Sequence, residues 1–507
     1  MLFEFGDTDL RDGRAFEVVP DWITFSGGRV DVVGQTMGIP EIYLYHSLDL
    51  VVVGTTAGAV LDRVREIGRS PTLSSFGISQ FLHHGLVPPP HTEWDDLWFL
   101  GKGDRCVLTT ATNGIEARFE RMYPYLQADS TGESQPSTST LLDVLTAATD
   151  RQVNDAGGDG VLMMSSGKDS VSVAVALAEG GHTEISCVTY RTGPDDTEND
   201  IAAGVCRKLG LTHRTYDIPD DASIVEADLI RFFEASPRPC ADLVQIPYAL
   251  VVGDVGVASG VVLDGGGNDL YMGIVPNRKF KAMQGLRIRN ERLAQQVERF
   301  IPTDSIINYF TRSRVATQLS GRTFRLPDTR QFYPEVVDTR PFWAQISDET
   351  AEIGAIDLGT TVATAFHDQA EVHLKAHVAA QAFEMTAAFP YCDSKVVDYL
   401  FDLPASTRYD AKSGVTKILL REMLLDTIGY DAESVGKHYF GFEGDRFLIA
   451  HRVFVMSEIS GCSLWSSDVA SLAASWLDQL ERRPLLYHSL LVLFQLSGWY
   501  NHSRYAR

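Results

Sequence analysis

A chain of 507 residues exceeds what a single hydrophobic core serves, so two or more domains are expected. Its 44% hydrophobic and 22% charged residues are the composition of a globular protein and exclude general disorder. The formal net charge of -23 argues against wrapping nucleic acid or lying on an anionic membrane, both of which need a basic surface. A local phosphate pocket built from a few lysines, backbone amides and metal stays open.

The opening stretch, MLFEFGDTDLRDG, has no basic region followed by an apolar run and does not read as a secretory signal. Short β-like runs then alternate with turn signals. GRVDVVG, EIYLYHS, LDLVVVGTT, DRCVLTT and EARFERMY predict an antiparallel meander, with AGAVLDRVREIG as a helix. QADSTGESQPSTST, residues 127–140, is too rich in Ser, Thr, Gly and Pro to build a core and predicts an exposed linker.

Beyond it the rhythm changes. LLDVLTAATDRQVN reads as helix, GVLMMSS as a short buried strand, and DSVSVAVALAEGG as a helix ending at a glycine pair. EISCVTYRT is a strand, TENDIAAGVCRKLGL a helix capped by Gly210, HRTYDIP a strand, and GVVLDGGGNDLYMG a strand running into a glycine-rich loop. Such alternation predicts a parallel doubly wound sheet. From about Gln284 the chain reads as mainly helical. No run reaches the roughly 18 apolar residues of a membrane helix. PLLYHSLLVLFQLSGW, broken by His488, Ser489, Gln495 and Ser497, reads as a packed C-terminal helix. The six cysteines are scattered with no CxxC pair, which fits reduced structural thiols in a cytoplasm.

The loop VLMMSSGKDS, Val161 to Ser170, concentrates the chemistry. In an open parallel sheet, ligands bind where strands end and helices begin. Gly167 and the flanking serines keep the turn small, so backbone amides can approach an anion, and the following helix points its dipole at the same spot. Ser165, Ser166 and Ser170 add hydroxyls and Lys168 a cation. Asp169 repels phosphate unless it holds Mg²⁺, which bridges polyphosphate oxygens. The loop matches neither GxxxxGK[ST] nor GxGxxG.

It closely resembles the SGGxDS loop of the ATP pyrophosphatases, with Ser166 in place of the first glycine. Further stretches resemble asparagine synthetases. In ENDIAAGVCRKLGLTHRTYDI, Glu198, Ala202, Val205, Cys206, Leu209 and Gly210 fall at matching offsets. VVLDGGGNDLYMG resembles SGxGxDExxxG: Gly265, Gly267, Asp269 and Gly273 fit, while Asp264 replaces the serine and Leu270 the second acid. PYCDSKVVDYLFDLP resembles PFLDxxxVExxxxLP, and KILLREML resembles KyLLRxAL with Lys417 and Arg421 in place. GKHYFGFEG resembles the K-x-G-F/V segment imperfectly. Upstream, GQTMGIPEIYLYHSLDLVVVGTTAGAVL and FLHHGLVPPPHTEWDDLWFLGKGDRCVL resemble that family's N-terminal domain.

The resemblance implies an α/β protein. Residues 1–126 would form a β-rich, degenerate Ntn-hydrolase-like domain, and 141–507 a doubly wound ATP pyrophosphatase domain with a helical C-terminal extension. Glutamine-dependent members use an N-terminal cysteine as nucleophile. Here the second residue is Leu2 and the first cysteine is Cys106, so glutamine is not expected to supply nitrogen. β-Lactam synthetases and peptide macrolactam (lasso-peptide) synthetases of the family share that loss.

The implied reaction adenylates a substrate carboxylate, releases pyrophosphate, and passes the acyl group to an amine. The resemblance assigns ATP and Mg²⁺ as cofactors and Asp169 and Asp269 as metal ligands. Ser165, Ser166, Gly167, Lys168 and Ser170 would hold pyrophosphate, and main-chain groups near Met164, Val188, Gly265 and Gly267 the rest of the nucleotide. Lys417 would neutralise phosphate charge. The substrate would be a small-molecule or peptide carboxylate and amine, in antibiotic or related specialised biosynthesis; a homo-oligomer is left open.

The family's general base maps onto Gly266, which cannot take a proton. A late lysine maps onto Tyr439, with Lys437 or His438 nearby as stand-ins. Glu371, His373 and Glu384, read on a helical stretch before Pro390, are candidate bases. Two other readings stay open: transfer of the acyl group to water, a thiol or a low-pKa nucleophile, and a non-catalytic partner that keeps the fold.

Overall fold

Eight N-terminal strands form two four-stranded sheets in the computed structural model, which describes residues 1–6, 9, 20–121, 134–191, 198–218, 222–242, 244–255, 260–269, 275, 286, 291–298, 300–301, 305–319, 324–435, 442–466 and 468–506. They are β1 (Leu2–Gly6), β2 (Ile23–Ser26), β3 (Arg29–Val33), β4 (Ile42–His46), β5 (Leu50–Gly54), β6 (Leu97–Leu100), β7 (Arg105–Ala111) and β8 (Gly114–Glu120). The strand orders are β1-β5-β4-β6 and β2-β3-β7-β8, all antiparallel. This corrects the single meander expected from sequence. The chain crosses from β3 to the other sheet and returns at β7.

Strand alternation explains the layering. Ile42, Leu44, Val51 and Val53 turn one way and share a core with Val30, Val32, Cys106 and Leu108 of the second sheet. Tyr43, Tyr45, Val52, Leu97 and Phe99 turn the other way, onto Val60, Leu61 and Phe81 of the helices Ala57–Glu66 and Ser75–His84. The first sheet is thus covered on both faces, and that outer layer belongs to the same core as the parallel sheet and the C-terminal helix Leu486–His502.

The second architecture is a five-stranded parallel sheet. Its strands are β9 (Gly160–Met163), β10 (Ser186–Arg191), β11 (His213–Asp217), β12 (Val261–Leu263) and β13 (Thr386–Ala388), in the order β11-β10-β9-β12-β13. β9 and β12 are buried at every position, as a parallel sheet covered on both faces requires. Two groups of helices pack on it: Thr138–Asp155, Lys168–Glu179, Glu198–Leu209 and Ile418–Ile428 in one, Ala222–Ala235, Gln245–Val255 and His373–Ala382 in the other. The helix Thr138–Asp155, capped by Ser137, already starts inside the stretch predicted as linker.

Beyond the sheet the chain is mainly helical, as expected, but β13 was not foreseen. The helix before Pro390 stops at Ala382, and exposed Glu384 sits in a turn at φ 61° instead of on that helix. The C-terminal helix Leu486–His502 is packed into the core. No helix among the described residues is long and apolar enough to cross a membrane. All six cysteines are buried and unpaired.

Candidate active site

The order β11-β10-β9-β12-β13 places the topological switch at β9. From there the chain builds outward through β10 to one edge and through β12 to the other, which opens a crevice at the strand ends. The loops leaving β9 and β12 meet in it. A Cβ on Gly265 would stand 2.7 Å from the carbonyl carbon of Asp169 and 2.8 Å from the amide of Ser170, so only glycine lets the loops touch.

The first loop is held by its own small side chains. Ser165 N and Oγ lie 3.1 and 2.8 Å from Ser170 Oγ, and the Ser170 hydroxyl also reaches Ser165 O and Gly167 O at 3.1 Å. Gly167 N donates to Ser165 Oγ at 3.1 Å. Ser166, buried, spends its amide and hydroxyl on Glu198 Oε1, both at 3.0 Å. Tyr430 donates its hydroxyl to Ser166 O. Gly167 caps the helix Lys168–Glu179 without a side-chain hydrogen bond, which leaves its first amides open to an anion.

Charge converges beside this corner. Lys417 Nζ lies 2.6 Å from Asp169 Oδ2 and 2.8 Å from Asp269 Oδ1. It also donates to Asn268 Oδ1 at 2.8 Å, and Asn268 Nδ2 donates to Asp169 Oδ1 at 2.7 Å. Lys417 sits in the left-handed region, φ 59° and ψ 43°, at the start of the helix Ile418–Ile428. Burial by itself lowers the Lys417 pKa, but Asp169 and Asp269 outweigh it and hold the ammonium above the usual lysine range. Lys168 goes the other way: burial depresses it, with Asp169 opposing and Lys417 and Arg421 assisting. Tyr391 closes the floor, its hydroxyl 2.6 Å from Ser172 Oγ, and its pKa is raised by burial and by Asp169.

Two carboxylates, one from the first turn of the helix Lys168–Glu179 and one from the segment after β12, therefore share one cation position. Their side chains are 33% and 51% exposed, so both remain open to a ligand. Hard oxygen donors of this kind fit Mg²⁺, with water and phosphate oxygens completing the shell, and no third His, Cys, Asp or Glu joins them among the described residues.

Residues 140–429, more than half of the 507, match the family described as asparagine synthase. The chain belongs to the asparagine synthase family. That membership carries the coarse activity, ATP-dependent ligation that makes an amide. No curated protein matches the chain. Among solved structures, it is similar to the NH3-dependent NAD synthetase from Campylobacter jejuni subsp. jejuni NCTC 11168 in complex with the nitrate ion. The identity is 13%, over 43% of this chain and 98% of that one, with a TM-score of 0.21, too loose a likeness to bear on function.

Within the family frame, the structure brings Ser165, Ser166, Gly167, Lys168, Asp169, Ser170, Gly265, Gly267, Asp269 and Lys417 to one corner. Met164 and Val188 bond each other, Met164 N to Val188 O at 2.8 Å, beneath it. Lys437, His438 and Tyr439 lie outside the described residues. Asn268, Tyr391 and Tyr430 carry contacts that sequence reasoning missed. Asn268 had one available signal, its place next to Asp269 in a glycine-rich loop.

Proposed function

We propose that this protein is an AMP-forming amide ligase that adenylates a carboxylate and couples it to an amine without using glutamine. The observation that carries this reading is the Asp169–Lys417–Asp269 cluster, joined by Asn268, at the strand ends of a family member. Open amides of the helix Lys168–Glu179, with Lys168, would take the charge of the departing pyrophosphate. Asp169 and Asp269 would hold Mg²⁺, which supplies charge neutralisation at the phosphates. Lys417 would then turn its ammonium toward a phosphate oxygen. The work is positioning and electrostatics.

Glutamine independence has its own support. Cys106 is the first cysteine of the chain, lies buried in β7, and burial pushes its thiol up to about 12. Such a thiol is a poor nucleophile at neutral pH. The domain formed by residues 1–126 would therefore serve structure or substrate contact. Substrates would be small molecules or peptides of specialised biosynthesis. Gly266, without a proton acceptor of its own, favours one second reading: transfer of the acyl group to a nucleophile that needs no base.

The test is pyrophosphate release from MgATP against aspartate, glutamate and short peptides bearing either side chain. Wild type should respond to at least one carboxylate, and Asp169→Ala should abolish the response, a fall of about a thousandfold or more, while retaining its fold. Added glutamine should give no glutamate. Full turnover by Asp169→Ala would overturn the reading, and product identity separates amide from other acyl products.

A further inference from the structure

His373 opens the helix His373–Ala382, directly after the π-helical segment Ala363–Val372. Its side chain is 1% exposed, and neither Nδ1 nor Nε2 has a hydrogen-bond partner. A buried ring with both nitrogens bare costs stability, and such a group calls for a reason. Phe389 fixes the ring plane, with centroids 4.4 Å apart.

The ring edge faces the glycine loop after β12. A Cβ on Gly266 would stand 2.9 Å from Asp264 Oδ1, 3.4 Å from His373 Cδ2 and 3.5 Å from its Nε2, and one on Gly267 2.6 Å from Cys392 Sγ and 3.6 Å from His373 Nε2, so both positions must be glycine for the ring to come this close. Asp264 holds the same loop: its Oδ1 accepts the Gly266 amide at 2.6 Å and its Oδ2 the Tyr248 hydroxyl at 2.8 Å. One residue beyond Gly267, Asn268 ties into Asp169 and Lys417. The bare imidazole therefore stands one glycine layer away from the cluster assigned to the nucleotide.

We propose that His373 Nε2 accepts the proton of the incoming amine in the amide-forming step, at the side-chain-free backbone of Gly266 and Gly267 that its ring edge approaches. The inference rests on the ligase reading above. The amine lone pair forms the C–N bond while the carbonyl electrons move to oxygen. The N–H proton passes to Nε2. As the carbonyl re-forms, the C–O bond to the phosphate breaks, AMP leaves with that electron pair, and the imidazolium returns its proton to water. Burial, then Lys102 from the turn between β6 and β7, His377 and Lys375 hold the imidazole pKa well below the usual value, so the ring is uncharged before the amine arrives and gives up quickly the proton it takes. Cys392 packs on Gly267 as well, but burial pushes its thiol up to about 12 and removes it as a base. Glu371 is engaged with His367, 3.1 Å away, and Glu384 is exposed.

The experiment compares full-length wild type with His373→Gln, using the carboxylate that releases pyrophosphate in the screen above. Nucleophiles are lysine and hydroxylamine. Hydroxylamine is largely uncharged at neutral pH, and its adduct sheds a proton to water. His373→Gln should keep pyrophosphate release and hydroxamate formation within about threefold and lose amide formation by about a hundredfold or more. Undiminished amide formation would overturn the inference alone. Parallel loss of all three readouts in both His373→Gln and His373→Asn would assign a structural role and also overturn it. Absence of pyrophosphate release by wild type with every carboxylate would remove the ligase reading, and this inference with it.

Discussion

Arg238 and Lys417 are both buried cations, and their surroundings are opposite. Arg238 forks onto Glu93 at 2.8 and 3.2 Å, with both side chains 1% exposed, and lies 5.2 Å above the Phe99 ring. Burial opposes its charge, but Glu93 and Tyr43 more than restore it. The pair is sealed between the first sheet's outer layer and the segment before helix Gln245–Val255. Lys417 is nearly as buried, yet its counter-ions are 33% and 51% exposed. A sealed pair joins layers. A cation whose partners face solvent can exchange them for a ligand.

Exchanging the two cations for apolar side chains breaks the comparison if it is wrong. Arg238→Ala strands the Glu93 carboxylate in the interior and should cost about 3–5 kcal/mol in denaturant unfolding. Activity of the remaining folded protein should be little changed. Lys417→Met should do the reverse: pyrophosphate release down by about a hundredfold or more, with a much smaller loss of stability. Equal effects of both variants on both readouts would erase the distinction.

Acid sharpens it with a smaller effect. Burial lowers the pKa of His83 to about 3 and of His91 to about 4, and holds His84 and His373 well below the usual value. The unfolded chain binds protons at these sites below pH 6.5 while the folded chain does not, so stability falls as pH drops from there toward 4. His367, which burial lowers but Glu371 and Asp368 raise further, works in the opposite sense. Unfolding free energy should decline between pH 6.5 and 4 by on the order of 1 kcal/mol per pH unit for each displaced histidine. A flat profile across that window would contradict these burials. Above pH 6.5 the Lys417 cluster should hold, because a raised ammonium pKa is lost only at strongly alkaline pH.

The parallel sheet and its first loop were legible because Val161 to Ser170 runs from a buried apolar stretch into small residues and a charge, the order expected where a parallel strand ends and a helix begins. The two-sheet N-terminal layering was not. IYLYH and LVVVG are apolar at almost every position, so no alternation betrays that opposite faces serve different layers. β13 is Thr-Ala-Ala, three residues with one β-favouring side chain, too short a run to read as a strand before its pairing with β12 is seen. Asn268 reads as a turn residue until Lys417, 149 positions away, is placed on it. His373 could be named as a candidate, but its bare nitrogens and its approach to Gly266 are facts of packing.

The central claim is that Asp169 and Asp269 hold the divalent ion of the nucleotide at the position where Lys417 joins them. Titration of Mn²⁺ with ATP into the full-length protein, followed by electron paramagnetic resonance, tests it most directly. Wild type should bind the manganese nucleotide, and Asp169→Asn and Asp269→Asn should each weaken that binding by at least about tenfold, the loss that removal of even an outer-shell partner brings. Unaltered binding in both variants would contradict the account.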